Sequence, residues 1–466
     1  MKNKFYITTP IYYVNAKPHI GHAYTTVAVD VLARAAKIMG EDTFFLTGTD
    51  EHGMKIQKEA EKAGKEPQVF VDEISQEFKR LWERLGIQYD NFIRTTDEKH
   101  KKSVSKALQT LFDKGAIYKG EYEGLYCTGC EQFLNESDLV DGKCPDHDAV
   151  PEKMKEESYL LKMTEIQKDL IAAIEKDEFR IQPEKYKNEI ISFLKNQELR
   201  DLSISRKNVS WGVKLPFDES HTAYVWVDAF LNYLTGIGWD GSEKVPEKWP
   251  AQVQMIGKDI LRVHGTIWPA LLMHLGIPFP EKLFVHGHIL SGGKKMSKTL
   301  GNAISIEEML EKFGVDGTRY LLLSAGTFGD DVDATMERLT EKYNADLANG
   351  LGNLVSRVIK LSEDTEIKLE NHDKQHLGFI EKDLRLDKSL EKIWNYVAED
   401  NKYIEDNKPW ELRKTDKKKF EEIIAKLSND LLVISLMLEP FMPETSEKIK
   451  KALQEKKTEI LFQRIK

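Results

Sequence analysis

The chain has 466 residues, 41% hydrophobic and 31% charged, a composition that excludes a disordered or fibrous protein and calls for roughly two to four domains. Its 68 basic and 77 acidic side chains leave a net charge of −9. That balance argues against a protein coated in nucleic acid, although screening within about 8 Å leaves room for local basic patches.

Met1 to Ile7 carries no apolar leader, and no run approaches the roughly 18 apolar residues that span a bilayer. A cytoplasmic protein without membrane contact is expected. Lys4 to Thr8 reads as a short strand closed by Pro10, followed by a loop to Pro18 and a helix from His19 to Met39 stopped by Gly40. Thr43 to Thr47 is the next strand, completing one βαβ unit of a parallel, doubly wound sheet. Residues 55 to 115 read as helical, with Gly64-Lys65-Glu66-Pro67 and Leu85-Gly86 as breaks. From Gly115 the texture changes to a glycine-punctuated insertion that holds all three cysteines. Strand and turn return near 210 to 230, and Val253 to Ile256 is a buried strand. A helix from Ile260 to Leu275 ends before Gly276, and Leu283 to Val285 is a further strand. After about 335 only helical periodicity remains, with Leu431 to Leu438 as a buried helix segment and Lys417-Lys418-Lys419 as a solvated face.

Pro18-His19-Ile20-Gly21-His22 falls where the first strand hands over to the first helix. A helix N-terminus offers free backbone N–H groups and partial positive charge, which favour phosphate. Two imidazoles three residues apart share a helix face and can donate to phosphate oxygens, while Gly21 permits close backbone approach. Alone, the string also reads as a pair of helix-capping histidines. The second string, Gly292-Gly293-Lys294-Lys295-Met296-Ser297-Lys298-Thr299, is a glycine-flanked basic loop. Its lysines can neutralise charge on departing pyrophosphate. A third pattern, Cys127-Thr128-Gly129-Cys130 followed by Cys144-Pro145-Asp146-His147, uses every cysteine of the chain. Four N/S ligands in two tight pairs suit one tetrahedral, structural Zn2+ that holds together an insertion too small for its own core.

The histidine and lysine strings stand about 275 residues apart, each beside a strand. Together they resemble the His-Ile-Gly-His and Lys-Met-Ser-Lys-Ser motifs of class I aminoacyl-tRNA synthetases, with Thr299 in place of the last serine. Further strings are similar to the methionyl-tRNA synthetases within that class: Ile7-Thr8-Thr9-Pro10-Ile11-Tyr12-Tyr13-Val14-Asn15, Thr47-Gly48-Thr49-Asp50-Glu51-His52-Gly53, Tyr224-Val225-Trp226-Val227-Asp228-Ala229, and Ile256-Gly257-Lys258-Asp259-Ile260 with His264.

The resemblance implies an α/β fold: a Rossmann-type doubly wound parallel sheet split by a zinc-knuckle connective insertion, followed by an all-α anticodon-binding helical bundle. The implied divisions are the first catalytic half over 1–115, the insertion over 116–215, and the second half over 216–285. A linking domain with the lysine loop covers 286–345 and the helical domain 346–466. The implied reaction joins L-methionine to tRNA(Met) with Mg2+-ATP. His19, His22, Lys295 and Lys298 would act in catalysis. ATP would be held by His19, Gly21, His22, Gly257, Asp259, Lys295, Ser297 and Lys298. Methionine would meet Ile11, Tyr13, Asp50, Trp226, Ala229, Tyr233, Ile260 and His264, an aromatic-lined pocket suited to a polarisable thioether. The anticodon would meet Asn353, Arg357 and Trp410, the zinc Cys127, Cys130, Cys144 and His147, and the chain is expected to be a monomer. Phe230 departs from family members that carry proline there. Cysteine enzymes of the class hold zinc in the active site rather than in the insertion. Isoleucine, leucine and valine enzymes need a large editing insertion, for which 115–215 has no room. A non-catalytic tRNA-binding protein would not need the two lysines.

Overall fold

A computed structural model of the chain describes residues 3–127, 132–134, 136, 139–145, 148–207, 209–296, 304–370, 380, 384–457 and 459–466. Its centre is the opening strand, Lys4–Thr8. On one side this strand pairs in parallel with Asp42–Asp50, and on the other with Val253–Gly257, more than two hundred residues further along the chain. The complete sheet has seven strands: Tyr12–Tyr13, Asp42–Asp50, Lys4–Thr8, Val253–Gly257, Leu283–His286 and Ile181–Gln182 in order, with Asn91–Arg94 paired to Asp42–Asp50. All of its pairings are parallel. Every residue of Val253–Gly257 and Leu283–His286 is buried, as strands covered on both faces require. Strand order reverses direction at Lys4–Thr8, so the crevice beyond its carboxyl end is a topological switch point, where such sheets bind ligands.

The first helix, Ile20–Met39, packs across this sheet through small residues such as Ala23, Ala28 and Ala33. His19 is its N-cap, and Gly40, at φ 89°, adopts the left-handed backbone that ends it. Three strands of the main sheet had no counterpart in the sequence, the first being Tyr12–Tyr13, which lies within the expected loop. Asn91–Arg94 lies within the stretch expected to be helical and separates Pro67–Arg84 from Glu98–Asp113. Ile181–Gln182 lies within the expected insertion yet forms an edge of the main sheet. The rest of that insertion contains a separate antiparallel sheet, dominated by Ile117–Cys127 paired with Glu152–Leu161. Cys127 stands at the far end of that long pair.

Among the described residues after 335 the regular elements are all helical: Met336–Lys342, a wide π-helical stretch Tyr343–Gly352, Asn353–Ser362, Leu386–Asn407, Pro409–Thr415, Lys417–Leu438 and Pro443–Glu455. The terminal segment folds back, with Asn344 and Ile465 exchanging two hydrogen bonds of 2.8 and 2.9 Å.

One buried ion pair joins this bundle to the first helix. Arg319, on Ile306–Ser324, is fully buried and lies 2.7 Å from Asp30 Oδ2. Its other donors reach the carbonyls of Phe441, Pro440 and Leu85 at 2.8, 2.9 and 3.2 Å. Asp30 also accepts from Arg34 Nε and from the Gln88 backbone. Removing one partner of a buried pair strands the other charge. Asp30→Ala is therefore expected to lower the unfolding free energy by about 3–5 kcal/mol in urea titration, and a loss below about 1 kcal/mol would show that Arg319 is held by its carbonyl partners alone.

Candidate active site and anticodon surface

At the start of the first helix, each histidine of the His19-Ile20-Gly21-His22 string accepts a backbone hydrogen bond through Nδ1. Gly21 N–H donates to His19 Nδ1 at 3.1 Å, and His19 N–H donates to His22 Nδ1 at 3.3 Å. The capping and phosphate-binding readings are therefore compatible. A ring nitrogen that accepts carries no proton, so each neutral imidazole holds its N–H at Nε2. The rings stack 3.7 Å apart. Burial beside Tyr12 and Phe78, then the neighbouring His19, push the His22 pKa well below its ordinary value. A Cβ on Gly21 would press on the His19 ring at 3.0 Å. The glycine thus makes room for that ring to fold back over the helix.

Across the crevice, Val253–Gly257 ends in Gly257, where an added Cβ would collide with Asp259 Oδ1. Lys258 Nζ and the His288 backbone N–H both donate to the Asp331 carboxylate, at 2.7 and 2.8 Å. That carboxylate joins this crossing to the strand leaving Gly287. The loop that follows is a hairpin, Ile289–Ser291 against Lys294–Lys295, turned by Gly292 and Gly293 at φ 63° and 72°. Such a turn demands glycine or a close substitute. Gly293 N–H donates to Asp333 Oδ1 at 3.0 Å, tying the turn to Val332–Asp333. Backbone strand geometry extends to Lys295; Ser297, Lys298 and Thr299 lie outside the described residues.

Of the expected methionine residues, Trp226 and Tyr233 both meet His264, and the others are placed as follows. Tyr13 is the register partner of Asp50, and Val14 N–H donates to Asp50 O at 3.1 Å. Asp50 is buried, while Ile11, Tyr13, Trp226 and Ile260 are half-buried against one core cluster that contains Tyr233. Ala229 is buried on the same short helix as Trp226. His264 Nδ1 lies 2.9 Å from Ile260 O, so this nitrogen carries the proton and Nε2 accepts from the Tyr233 hydroxyl at 2.9 Å. Both donors are thereby engaged, and neither ring offers an N–H or O–H to sulfur in this arrangement. Phe230 meets His264 edge to face at 4.8 Å and stacks on Trp268 at 5.8 Å.

Sequence reasoning missed the groups behind this wall. Glu51, fully buried, takes both Arg94 Nε and Nη2, at 2.7 and 2.9 Å. Asp228 binds His52 and His100. Glu51, His52 and Asp228 fall inside strings already quoted, but His100 sits in Glu98-Lys99-His100-Lys101, which reads as a solvated helix face.

In the insertion, Cys127 and Cys144 are both buried and pack into one small cluster with Leu139. Cys130 and His147 lie outside the described residues, among which no group of three metal-ligating side chains occurs. On the helical bundle, Asn353 is exposed and Arg357 follows one turn later. Arg357 pairs with Glu405 at 2.8 Å, and its guanidinium carbon lies 6.0 Å from the centre of the Trp410 ring, which is 45% exposed.

The chain matches the family model for class I tRNA synthetases (M) over residues 5–149 and 146–359, and the anticodon binding domain of methionyl tRNA ligase over 352–464. It belongs to the methionyl class I tRNA synthetases. A methionine–tRNA ligase of Caldanaerobacter subterraneus subsp. tengcongensis is 43% identical over 96% of this chain and 74% of that protein. One from Rickettsia bellii is 41% identical over 100% and 95%. The structure of Mycobacterium tuberculosis methionyl-tRNA synthetase in complex with methionyl-adenylate superposes with a TM-score of 0.89 at 35% identity, covering 97% of this chain and 93% of that one. The free-state structure of the same organism's enzyme gives 0.81. Among the described residues no helix is long and apolar enough to cross a membrane.

The state of His264 carries a measurable consequence. Burial lowers its pKa to about 4, against roughly 6.5 in an unfolded chain. The neutral ring therefore contributes stability that is full above about pH 6.5 and is lost as pH falls toward 4. Between pH 7 and 5 this ring should account for about 2 kcal/mol of lost stability. Urea titrations of wild type and His264→Phe check it: the variant should lose less on acidification, and equal losses would exclude this ring as a source.

Proposed function

We propose that this chain is a methionine–tRNA ligase working through the residues gathered at the switch point. A carboxylate oxygen of methionine attacks the α-phosphorus of ATP, the bond to pyrophosphate breaks, and methionyl-adenylate forms. A hydroxyl of the 3′-terminal ribose of tRNA(Met) then attacks the methionyl carbonyl, releasing AMP. The observation that supports this reading is a pair of histidines at the N-terminus of the first helix, beside a parallel sheet whose strand Asp42–Asp50 ends in a buried carboxylate, in a chain of this family.

His19 and His22 donate Nε2–H to ATP phosphates, Gly21 shapes that helix end, and Gly257 and Asp259 hold the nucleoside across the crevice. Asp50 takes the substrate ammonium, and Ile11, Tyr13, Trp226, Ala229, Tyr233, Ile260 and His264 enclose the side chain. Lys295, Ser297 and Lys298 neutralise the leaving pyrophosphate. This step needs positioning and charge more than a general base. Mg2+ arrives with ATP and screens its phosphates. Asn353 and Arg357 read anticodon base edges, and exposed Trp410 stacks on an unpaired base. Arg357 must exchange Glu405 for RNA to do so. Every group named comes from one chain, so a monomer suffices, and the cytoplasm supplies all three substrates.

Lys298→Ala is expected to cut methionine-dependent pyrophosphate exchange about 10²–10³-fold with little change in methionine affinity. An unchanged exchange rate would remove Lys298 from the mechanism.

For the insertion we propose one structural Zn2+ held by Cys127, Cys130, Cys144 and His147. Two buried thiols already gathered into one cluster suit an ion that prefers tetrahedral sulfur and nitrogen donors. Metal analysis should find one zinc per chain, and chelation should lower the melting temperature. A zinc-free chain with unaltered melting would sink this assignment.

A further inference from the structure

Behind the methionine pocket lies a buried carboxylate that neither step of the reaction uses. Asp228 is 1% exposed. Its Oδ2 is 2.6 Å from His52 Nδ1 and its Oδ1 is 2.8 Å from His100 Nε2. A carboxylate only accepts, so both imidazoles donate to it. Thr235 Oγ1 completes the far side of the His100 ring, 2.7 Å from Nδ1. His100 is itself fully buried. Burial alone would raise the Asp228 pKa, but His52 and His100 hold it well below the usual carboxylate range.

These groups occupy the elements that build the pocket. His52 lies two residues past Asp50, on the segment leaving Asp42–Asp50. Asp228 stands between Trp226 and Ala229 on Val225–Phe230, and Thr235 two residues past Tyr233 on Asn232–Thr235. Those helices have six and four residues, too few to hold a conformation by their own backbone bonds. Something outside them must set where they stand. His100 comes from Glu98–Asp113, a sixteen-residue helix packed into the core.

We propose that His52, Asp228 and His100 form the positioning frame of the methionine pocket. The frame fixes the separation between Asp50, which takes the ammonium, and the wall carrying Trp226, Ala229 and Tyr233, which takes the side chain. It thereby matches the pocket to the length of one amino acid. The inference rests on the proposed activity, and it leaves the nucleotide donors at His19 and His22 on a separate support, the first helix.

The test is pyrophosphate exchange by the full chain, with KM measured separately for methionine and ATP and melting temperature recorded for each variant. Asp228→Asn keeps the shape and removes the charge. It should raise KM for methionine about tenfold or more while KM for ATP stays within about twofold. His100→Gln keeps an amide N–H within reach of Oδ1 and should lie closer to wild type in KM for methionine than His100→Phe, which keeps bulk and loses the donor. If Asp228→Asn does not fold, the His100 pair decides. Equal rises in both KM values, an unchanged KM for methionine, or a glutamine variant no better than phenylalanine would overturn the frame. A wild-type chain without methionine-dependent exchange would instead overturn the activity itself.

Discussion

Three parts of this molecule meet at a single buried charge pair. Asp30 sits in the middle of the helix whose first turn holds His19 and His22. Arg319 sits on the helix that follows the lysine loop. The guanidinium also closes on carbonyls of Pro440 and Phe441, between the last two helices of the bundle. Two ions withdrawn from water cost several kcal/mol each unless their geometry is complete. Here almost every donor and acceptor is used: Asp30 receives Arg319, Arg34 and the Gln88 N–H, and Arg319 spends its remaining donors on three carbonyls. A second link, Thr445 N–H to Asp316 Oδ2 at 2.6 Å, runs parallel to it. The helix that begins at His19 and the helical bundle are thus mounted on one buried crossing. A shift of the bundle would leave the pair incomplete.

How much of this was legible from residues alone depends on how local each signal is. The first helix was read to within a residue, because His19 and Gly40 punctuate it and Gly40 adopts the left-handed backbone glycine favours. Val253–Gly257 was legible because a strand buried on both faces is a continuous apolar run. Asn91–Arg94 and Ile181–Gln182 were not, since four and two residues display no period and their partners lie at Leu46 and Leu283. The π-helical Tyr343–Gly352 was read as ordinary helix, as its residue types favour neither winding. The site followed the same rule. Strings such as Tyr224-Val225-Trp226-Val227-Asp228-Ala229 name a wall, but His100 becomes visible only when Asp228, 128 residues away, is seen beside it.

The histidines show how burial separates roles that the letter H does not. His264 and His286 are buried, and desolvation lowers the pKa of each. In both, Nδ1 faces a carbonyl, Ile260 O or Gly287 O, which fixes the tautomer and leaves Nε2 to face a hydroxyl, Tyr233 or Thr25. In His19 and His22 the polarity is reversed, because the backbone at a helix start offers N–H groups instead of carbonyls. Their protons are driven to Nε2. The same imidazole is an interior acceptor in one setting and a donor at a helix N-terminus in the other. The difference comes from which unsatisfied backbone group lies nearby.

The departure at Phe230 follows from this arrangement. A proline in the last turn of Val225–Phe230 would leave the space between His264 and Trp268 to be filled from elsewhere. Phenylalanine fills it directly, with its face parallel to Trp268 at 18° and the His264 ring perpendicular to it at 89°. Trp268 in turn meets Trp249 at 6.0 Å and Tyr233 at 5.5 Å, so the ring stack extends from the pocket wall into the core. Edge-to-face and offset contacts of this kind add roughly 0.5–1.5 kcal/mol beyond simple burial. They also surround His264 with apolar rings, the condition that keeps it neutral and bonded to Tyr233. Phe230 therefore packs between His264 and Trp268 within the wall where the methionine side chain is proposed to sit.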